Sequence, residues 1–164
     1  MTRFLFGLVM VAFTSFCGYL LARKYRQRKL FFRQLYEFNE RFLTEITYYR
    51  RPIREFASHY VYQGEFAELL ESFFVRLGNE MVQETAFMDK AHFSFLKEGE
   101  RRAVEDYFFM LGRGDSVSQR GYFSSMKEEL FSWCIESEKL CKKYADLYIK
   151  IGFLCGLLIL LLMI

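Results

Sequence analysis

The sequence predicts an all-α protein: a membrane-anchored helical bundle with an amino-terminal and a carboxyl-terminal transmembrane helix. Three observations carry this. Residues 4–22 and 151–164 contain no charged side chain. The apolar residues between them recur in steps of three and four, the period of a helix. The chain has 1 proline among 164 residues and few Gly/Pro clusters, unlike the punctuation of an all-β fold. The expected domains are a transmembrane helix over 1–22, a cytosolic helical bundle over 23–150 and a second transmembrane helix over 151–164.

Residues 4–22 have the length of a membrane span. A cleaved signal peptide is the competing reading, but the apolar run is longer than a usual signal core. It is followed by Arg23, Lys24, Arg26, Arg28, Lys29 and Arg33, a flank that suits a retained anchor. The same basic run places the middle of the chain in the cytoplasm by the positive-inside rule, and Lys142, Lys143 and Lys150 agree at the second span. Both termini are then expected on the far side of the membrane.

Phe31, Leu35, Phe38, Phe42, Ile46 and Tyr49 form a seam with nearly coiled-coil spacing, so the first helix is expected to continue to Tyr49. Pro52 ends it, because the residue before a proline avoids the helical region, and is suited to the first position of the next helix. That helix holds Ile53, Phe56, Ala57 and Tyr60, with Gly64 as its expected end. Phe66, Leu69, Leu70, Phe73, Phe74 and Leu77 mark a further amphipathic helix closed by Gly78. Between Met81 and Phe95 the apolar side is expected to be Ala86, Phe87, Ala91 and Phe95. Glu98 and Glu100 fit the first turn of a helix that carries Ala103, Val104, Tyr107, Phe108 and Leu111 and stops at Gly112.

The last helix starts at Ser116-Val117-Ser118-Gln119, a capping-box pattern after a turn at Gly114. Its expected face is Phe123, Met126, Leu130, Trp133, Leu140, Tyr144, Leu147 and Ile151, with Gly121 a weak point. From Ser116 to Lys150 a straight helix would run roughly 50 Å. Gly152 and Gly156 form a small-xxx-small pair, expected to pack closely against the first span, where Gly7 and Gly18 lie, or against another copy in a homo-oligomer.

No catalytic or cofactor constellation emerges. His59 and His92 stand alone in the sequence, and there is no HExxH, no metal-spaced Cys/His set and no phosphate-binding glycine loop. Neither enzyme activity nor a bound cofactor or metal is expected. The net charge of +3 gives no reason to expect nucleic acid. Cys134 and Cys141 lie two turns apart on one helix, roughly 10 Å along its axis, too far to pair with each other. Reduced cysteines are therefore expected.

Several residues together carry a family resemblance. They are the basic-flanked first span, Glu45-Ile46 with Tyr48, Pro52-Ile53, Leu111-Gly112 followed by Asp115 and Gln119, then Tyr144, Gly152-Phe153-Leu154 and Gly156-Leu157. With these the chain resembles the stage III sporulation protein AB family of endospore-forming bacteria, nearly end to end. The resemblance implies a helical domain similar to those of the inner-membrane platform proteins of type II secretion and type IV pilus machines. It also implies a place in the mother-cell membrane around the forespore, in a secretion-like channel complex with other membrane proteins. A secretion ATPase like stage III sporulation protein AA is the implied cytosolic partner. The residues expected to meet it lie at the far end of the bundle: Pro52, Arg54, Leu111, Gly112, Arg113 and Asp115. The alternative is a membrane-tethered regulator unrelated to sporulation that binds a soluble protein through the Phe31–Tyr49 seam.

Overall fold

The computed structural model describes residues 2–49, 52–78, 88–112 and 116–163. These form five helices in the order α1 (Thr2–Tyr48), α2 (Ile53–Ser58), α3 (Gly64–Gly78), α4 (Glu98–Gly112) and α5 (Ser116–Met163). No strand occurs among the described residues. The contacts divide the chain into a terminal unit, Met1–Lys29 with Ile135–Ile164, and a central unit, Leu30–Cys134. Helices α1 and α5 contribute to both.

In the terminal unit α1 and α5 run antiparallel. Gly7 meets Leu160, Gly18 meets Tyr148 and Gly152, and Gly156 meets Val11 and Thr14. Along the charge-free stretches the contact is made largely by small residues, and large ones point outward: Phe13, Phe16, Leu154 and Leu158 are all exposed. Both helices are long and apolar enough to cross a membrane, which fits a membrane protein. The inward face of α5 here is Ser137, Ala145 and Gly156. This corrects the apolar stripe expected from sequence: Leu147 and Ile151 are exposed. Where the surroundings are as apolar as leucine, burying a large side chain gains little, and close approach of backbones decides the face.

The central unit is built the other way, around large aromatic rings. Phe31, Phe32, Phe38, Phe56, Phe66, Tyr107, Phe108 and Phe123 are essentially inaccessible. They meet mostly edge-on or tilted, as in the pairs Phe42–Phe123 at 5.0 Å and Tyr107–Phe123 at 4.9 Å between centroids, the geometry that ring quadrupoles favour. The seam of α1 belongs to this core, with Phe31, Leu35, Phe38 and Phe42 buried. As far as Phe42 it is therefore filled by the protein's own helices, which leaves the regulator alternative only the far end of the seam, where Tyr49 is exposed.

Two buried amides position the elements. Asn39 of α1 donates from Nδ2 to the Phe123 carbonyl of α5 at 3.1 Å and accepts from the Tyr107 hydroxyl of α4 at 3.2 Å. Gln34 holds the residue before α3: its Nε2 donates to the Gln63 carbonyl at 2.9 Å, and its Oε1 accepts from the Gln63 N–H at 2.7 Å. Gly64 follows with φ of 61°, in the left-handed region that favours glycine. It opens α3 and does not close α2, which ends at Ser58, so Tyr60 lies outside any helix. Pro52 is the N-cap of α2, one position before the place expected.

α3 buries Phe66, Leu69, Leu70 and Phe73. Of the apolar side expected between Met81 and Phe95, Phe95 is buried and Ala91 is not. Residues 90–95 are turns, Ala91 is exposed, and Met88, Phe93, Phe95 and Leu96 supply the buried side chains; residues 79–87 lie outside those described. At the start of α4 the Glu100 carboxylate accepts from the Lys97 N–H at 2.9 Å, half of a capping box. Arg101 is buried between Glu98 at 2.7 Å and Glu105 at 3.1 Å. The α5 helix is continuous through Gly121, and Gln119 donates to the Met110 carbonyl at 3.3 Å.

Candidate functional site

The central unit carries an open groove between α2 and α3, about 360 Å³ in volume. Ala57, Ala67, Leu70 and Phe74 form its floor and walls, with Tyr60, Tyr62 and Val75 around the rim. Arg54 and Glu71 supply one charge of each sign. Val75 is 59% exposed and neighbouring Val61 91% exposed. These are large apolar side chains left in solvent beside a concave apolar surface, the usual combination at a protein contact.

The groove is held in shape by specific contacts. Arg54 crosses from α2 to α3, where its Nη2 donates to the Phe74 carbonyl at 2.7 Å. Arg41 of α1 lies 4.3 Å from the Tyr60 ring centroid and 6.0 Å from that of Tyr62, a cation–π arrangement that fixes both rings. Burial raises the pKa of the Tyr62 hydroxyl above the usual tyrosine range, partly offset by Arg41. The arrangement offers an apolar recess with an anchored guanidinium, and Ser58 and Glu71 also line it. It suits recognition of an apolar side chain on another protein.

The residues expected at a partner surface are distributed as follows. Pro52 is exposed at the start of α2, and Arg54 lines the groove. Leu111 is buried in the core. Gly112 is the last residue of α4. Arg113 and Asp115 lie outside the described residues. Gly152 and Gly156 meet α1 inside the terminal unit: a Cβ on Gly152 would sit 2.7 Å from the Thr14 carbonyl oxygen, and one on Gly156 2.8 Å from the Val11 Cα.

Sequence reasoning missed Tyr60, Tyr62, Phe74 and Val75 as groove residues. The available signal was Tyr60-Val61-Tyr62, an apolar run with no helical partner. It also missed a convergence on His92, whose Nε2 meets Glu65 and, at 3.0 Å, Glu68. The three ligand atoms lie within 4.8 Å of one another, and an imidazole with two carboxylates could hold a divalent ion. The contacts join the turn segment to α3, and that structural role is sufficient reason for them. The four cysteines are free thiols.

No curated protein and no solved structure matches this chain. The sequence model of the stage III sporulation protein AB family matches residues 3–164. Two terminal helices able to cross a membrane, a helical central unit and a match over essentially the whole chain agree, and the chain belongs to the stage III sporulation protein AB family.

Proposed function

We propose that this protein is a non-enzymatic membrane platform of a sporulation-specific, secretion-like channel between mother cell and forespore. In this reading its two spans anchor it in the mother-cell membrane around the forespore, and the central unit faces the mother-cell cytosol. There it couples a secretion ATPase, similar to stage III sporulation protein AA, to the membrane components of the complex. The supporting observation is the α2–α3 groove, an exposed apolar recess lined in part by Arg54, in a member of a sporulation protein family. An adaptor needs a rigid surface with an apolar anchor point and an oriented charge, and hot spots of protein interfaces are built this way.

The test is purification of the detergent-solubilised protein from sporulating cells, in parent form and as Val75→Glu. Val75 is exposed, so the substitution leaves the core intact while placing a charge at the groove rim. The ATPase should accompany the parent and be lost with the variant. Equal recovery with both removes the groove from the contact, and absence of any such ATPase with the parent removes the platform reading.

A further inference from the structure

We propose that the terminal unit carries a binding surface for anionic phospholipid, a basic collar made by both α1 and α5. The inference rests on reading these helices as membrane spans and adds a lipid partner to that reading.

The collar comprises Arg23, Lys24 and Arg26 on α1 with Lys142, Lys143 and Lys150 on α5, all exposed. Residues 23–29 contain no acidic side chain. On α5 the opposing charges are Glu136, Glu138 and Asp146. Glu136 faces Arg28 at 4.0 Å, and Glu138 pairs with Lys142 at 3.0 Å on the exposed helix surface, where an ion pair holds its partners weakly. The two basic stretches are sequence-distant, and the antiparallel pairing of the helices brings them to one level. Tyr25 stacks on Tyr144 and Tyr148 with centroids 5.4 Å and 5.8 Å away.

That tyrosine stack marks the level of the membrane interface. Tyrosine prefers the headgroup layer, where its ring is shielded and its hydroxyl is wet. Lys143 lies 5.1 Å from the Tyr144 centroid, and Arg26 lies 5.9 Å from that of Tyr19, so the cations are held at the same level as the rings. On one side of this level both helices become charge-free. The collar thus meets the phosphate layer by covalent continuity with the spans. Zwitterionic headgroups present no net charge to it, whereas each basic residue near an anionic surface contributes about fivefold in association. The ligand class is a phospholipid with a net negative headgroup, such as phosphatidylglycerol.

The experiment uses the full chain reconstituted in phosphatidylcholine bilayers that contain spin-labelled phosphatidylglycerol or spin-labelled phosphatidylcholine. The motionally restricted fraction gives the relative association of the two lipids. The parent should favour phosphatidylglycerol several-fold at low salt. The preference should fall toward one in molar salt, where the screening length drops to about 3 Å. Lys142→Gln with Lys143→Gln should lower it several-fold, and Arg102→Gln, an exposed change in the central unit, should leave it unchanged. Equal association of both lipids with the parent overturns the proposal, as does a preference that ignores both the double substitution and salt. Flotation and alkaline extraction of the same vesicles separate the two levels of the reading. A protein that is extracted overturns the spans and the collar together; one that stays but shows no lipid preference overturns the collar alone.

Discussion

The most informative perturbation of the central unit is at Asn39. Its side chain is completely buried and is the only described group joined by hydrogen bonds to both the Tyr107 hydroxyl and the Phe123 carbonyl. Tyr107 is equally inaccessible, so its hydroxyl has no water to turn to if Asn39 is removed. A buried hydroxyl without an acceptor costs about 1–3 kcal/mol, and the lost bond to Phe123 about 0.5–1.5 kcal/mol more. Asn39→Ala should therefore destabilise the protein by about 2–4 kcal/mol. At about 2–4 °C per kcal/mol for a chain of this size, the melting temperature in detergent should fall by about 4–16 °C.

Tyr107→Phe removes the other end of the bond and strands the Asn39 oxygen, costing about 1–3 kcal/mol. With both changes present there is no hydroxyl left to strand. The double variant should then be more stable than the sum of the single effects by about 1 kcal/mol or more, and the cavity left by Asn39→Ala cancels in the cycle. Thermal melts of the four proteins, followed by circular dichroism, give the coupling. Additivity within about 0.3 kcal/mol would refute the network, and the Asn39 amide would then be satisfied in some other way.

The remaining predictions are these. In a background without the native cysteines, Val75→Cys should be protected from a membrane-impermeant thiol reagent in intact cells making the protein, and labelling would overturn a cytosolic central unit. Tyr122 is pushed up to about 12 and Tyr107 well above the usual range, both chiefly by burial. The folded state thus holds these protons more tightly than the unfolded chain, so stability should be level below about pH 10 and fall as pH rises toward the folded values; neither Tyr107→Phe nor Tyr122→Phe should remove phenolate absorbance that titrates normally before unfolding, and such a loss in either variant would contradict this. The hydrogen bond from Arg101 holds the Glu98 carboxyl below the usual range, a contribution present above that range and lost as pH falls through the depressed value, so the difference in melting between parent and Glu98→Gln should vanish in acid. Gly121→Ala, whose added methyl meets nothing within 4 Å, should stabilise α5 by about 0.5–1 kcal/mol, while Gly152→Ala, 2.7 Å from the Thr14 oxygen, should destabilise the helix pair; equal effects of the two in melting experiments would mean that the close approach does not exist.

Most elements were legible because their apolar residues keep a helical period over many turns. Phe66, Leu69, Leu70 and Phe73 are the clear case: spacing alone gives the buried face of α3. The reading failed where another force replaced the period. Gly64 looked like a helix end because glycine at that position suits either a C-cap or a left-handed start, and the Gln34–Gln63 pair that decides between them is separated by 29 positions. The turn segment at 90–95 has no period to read, and Phe93 is buried through contacts with Phe31 and Phe95. The groove was half legible: Arg54 was named among partner residues, but the opposing wall of Leu70, Phe74 and Val75 depends on how α2 lies against α3. His92 appeared isolated because Glu65 and Glu68 lie far away in sequence and meet it only in the fold.

α1 and α5 change their packing chemistry along their own length. In the central unit they meet through large rings, including Phe42 on Phe123 and Phe32 on Trp133 at 5.4 Å. In the terminal unit they meet through Gly18 on Gly152 and Gly156 on Val11, while phenylalanines and leucines face outward. One solvent cannot account for both patterns. In water, exposing Phe13, Phe16, Leu154 and Leu158 while burying glycines would forgo about 1.5–3 kcal/mol for each large side chain left outside. In hydrocarbon that penalty disappears, and close backbone contact becomes the main source of association. The glycine contacts lie within the charge-free stretches, from Gly7 to Gly18 on one helix and from Gly152 to Gly156 on the other, and the rings of Tyr25, Tyr144 and Tyr148 lie beyond them. This inversion is a physical argument for a membrane around the charge-free parts of the terminal unit, because it depends on which residues face the partner helix as well as on how apolar the segment is.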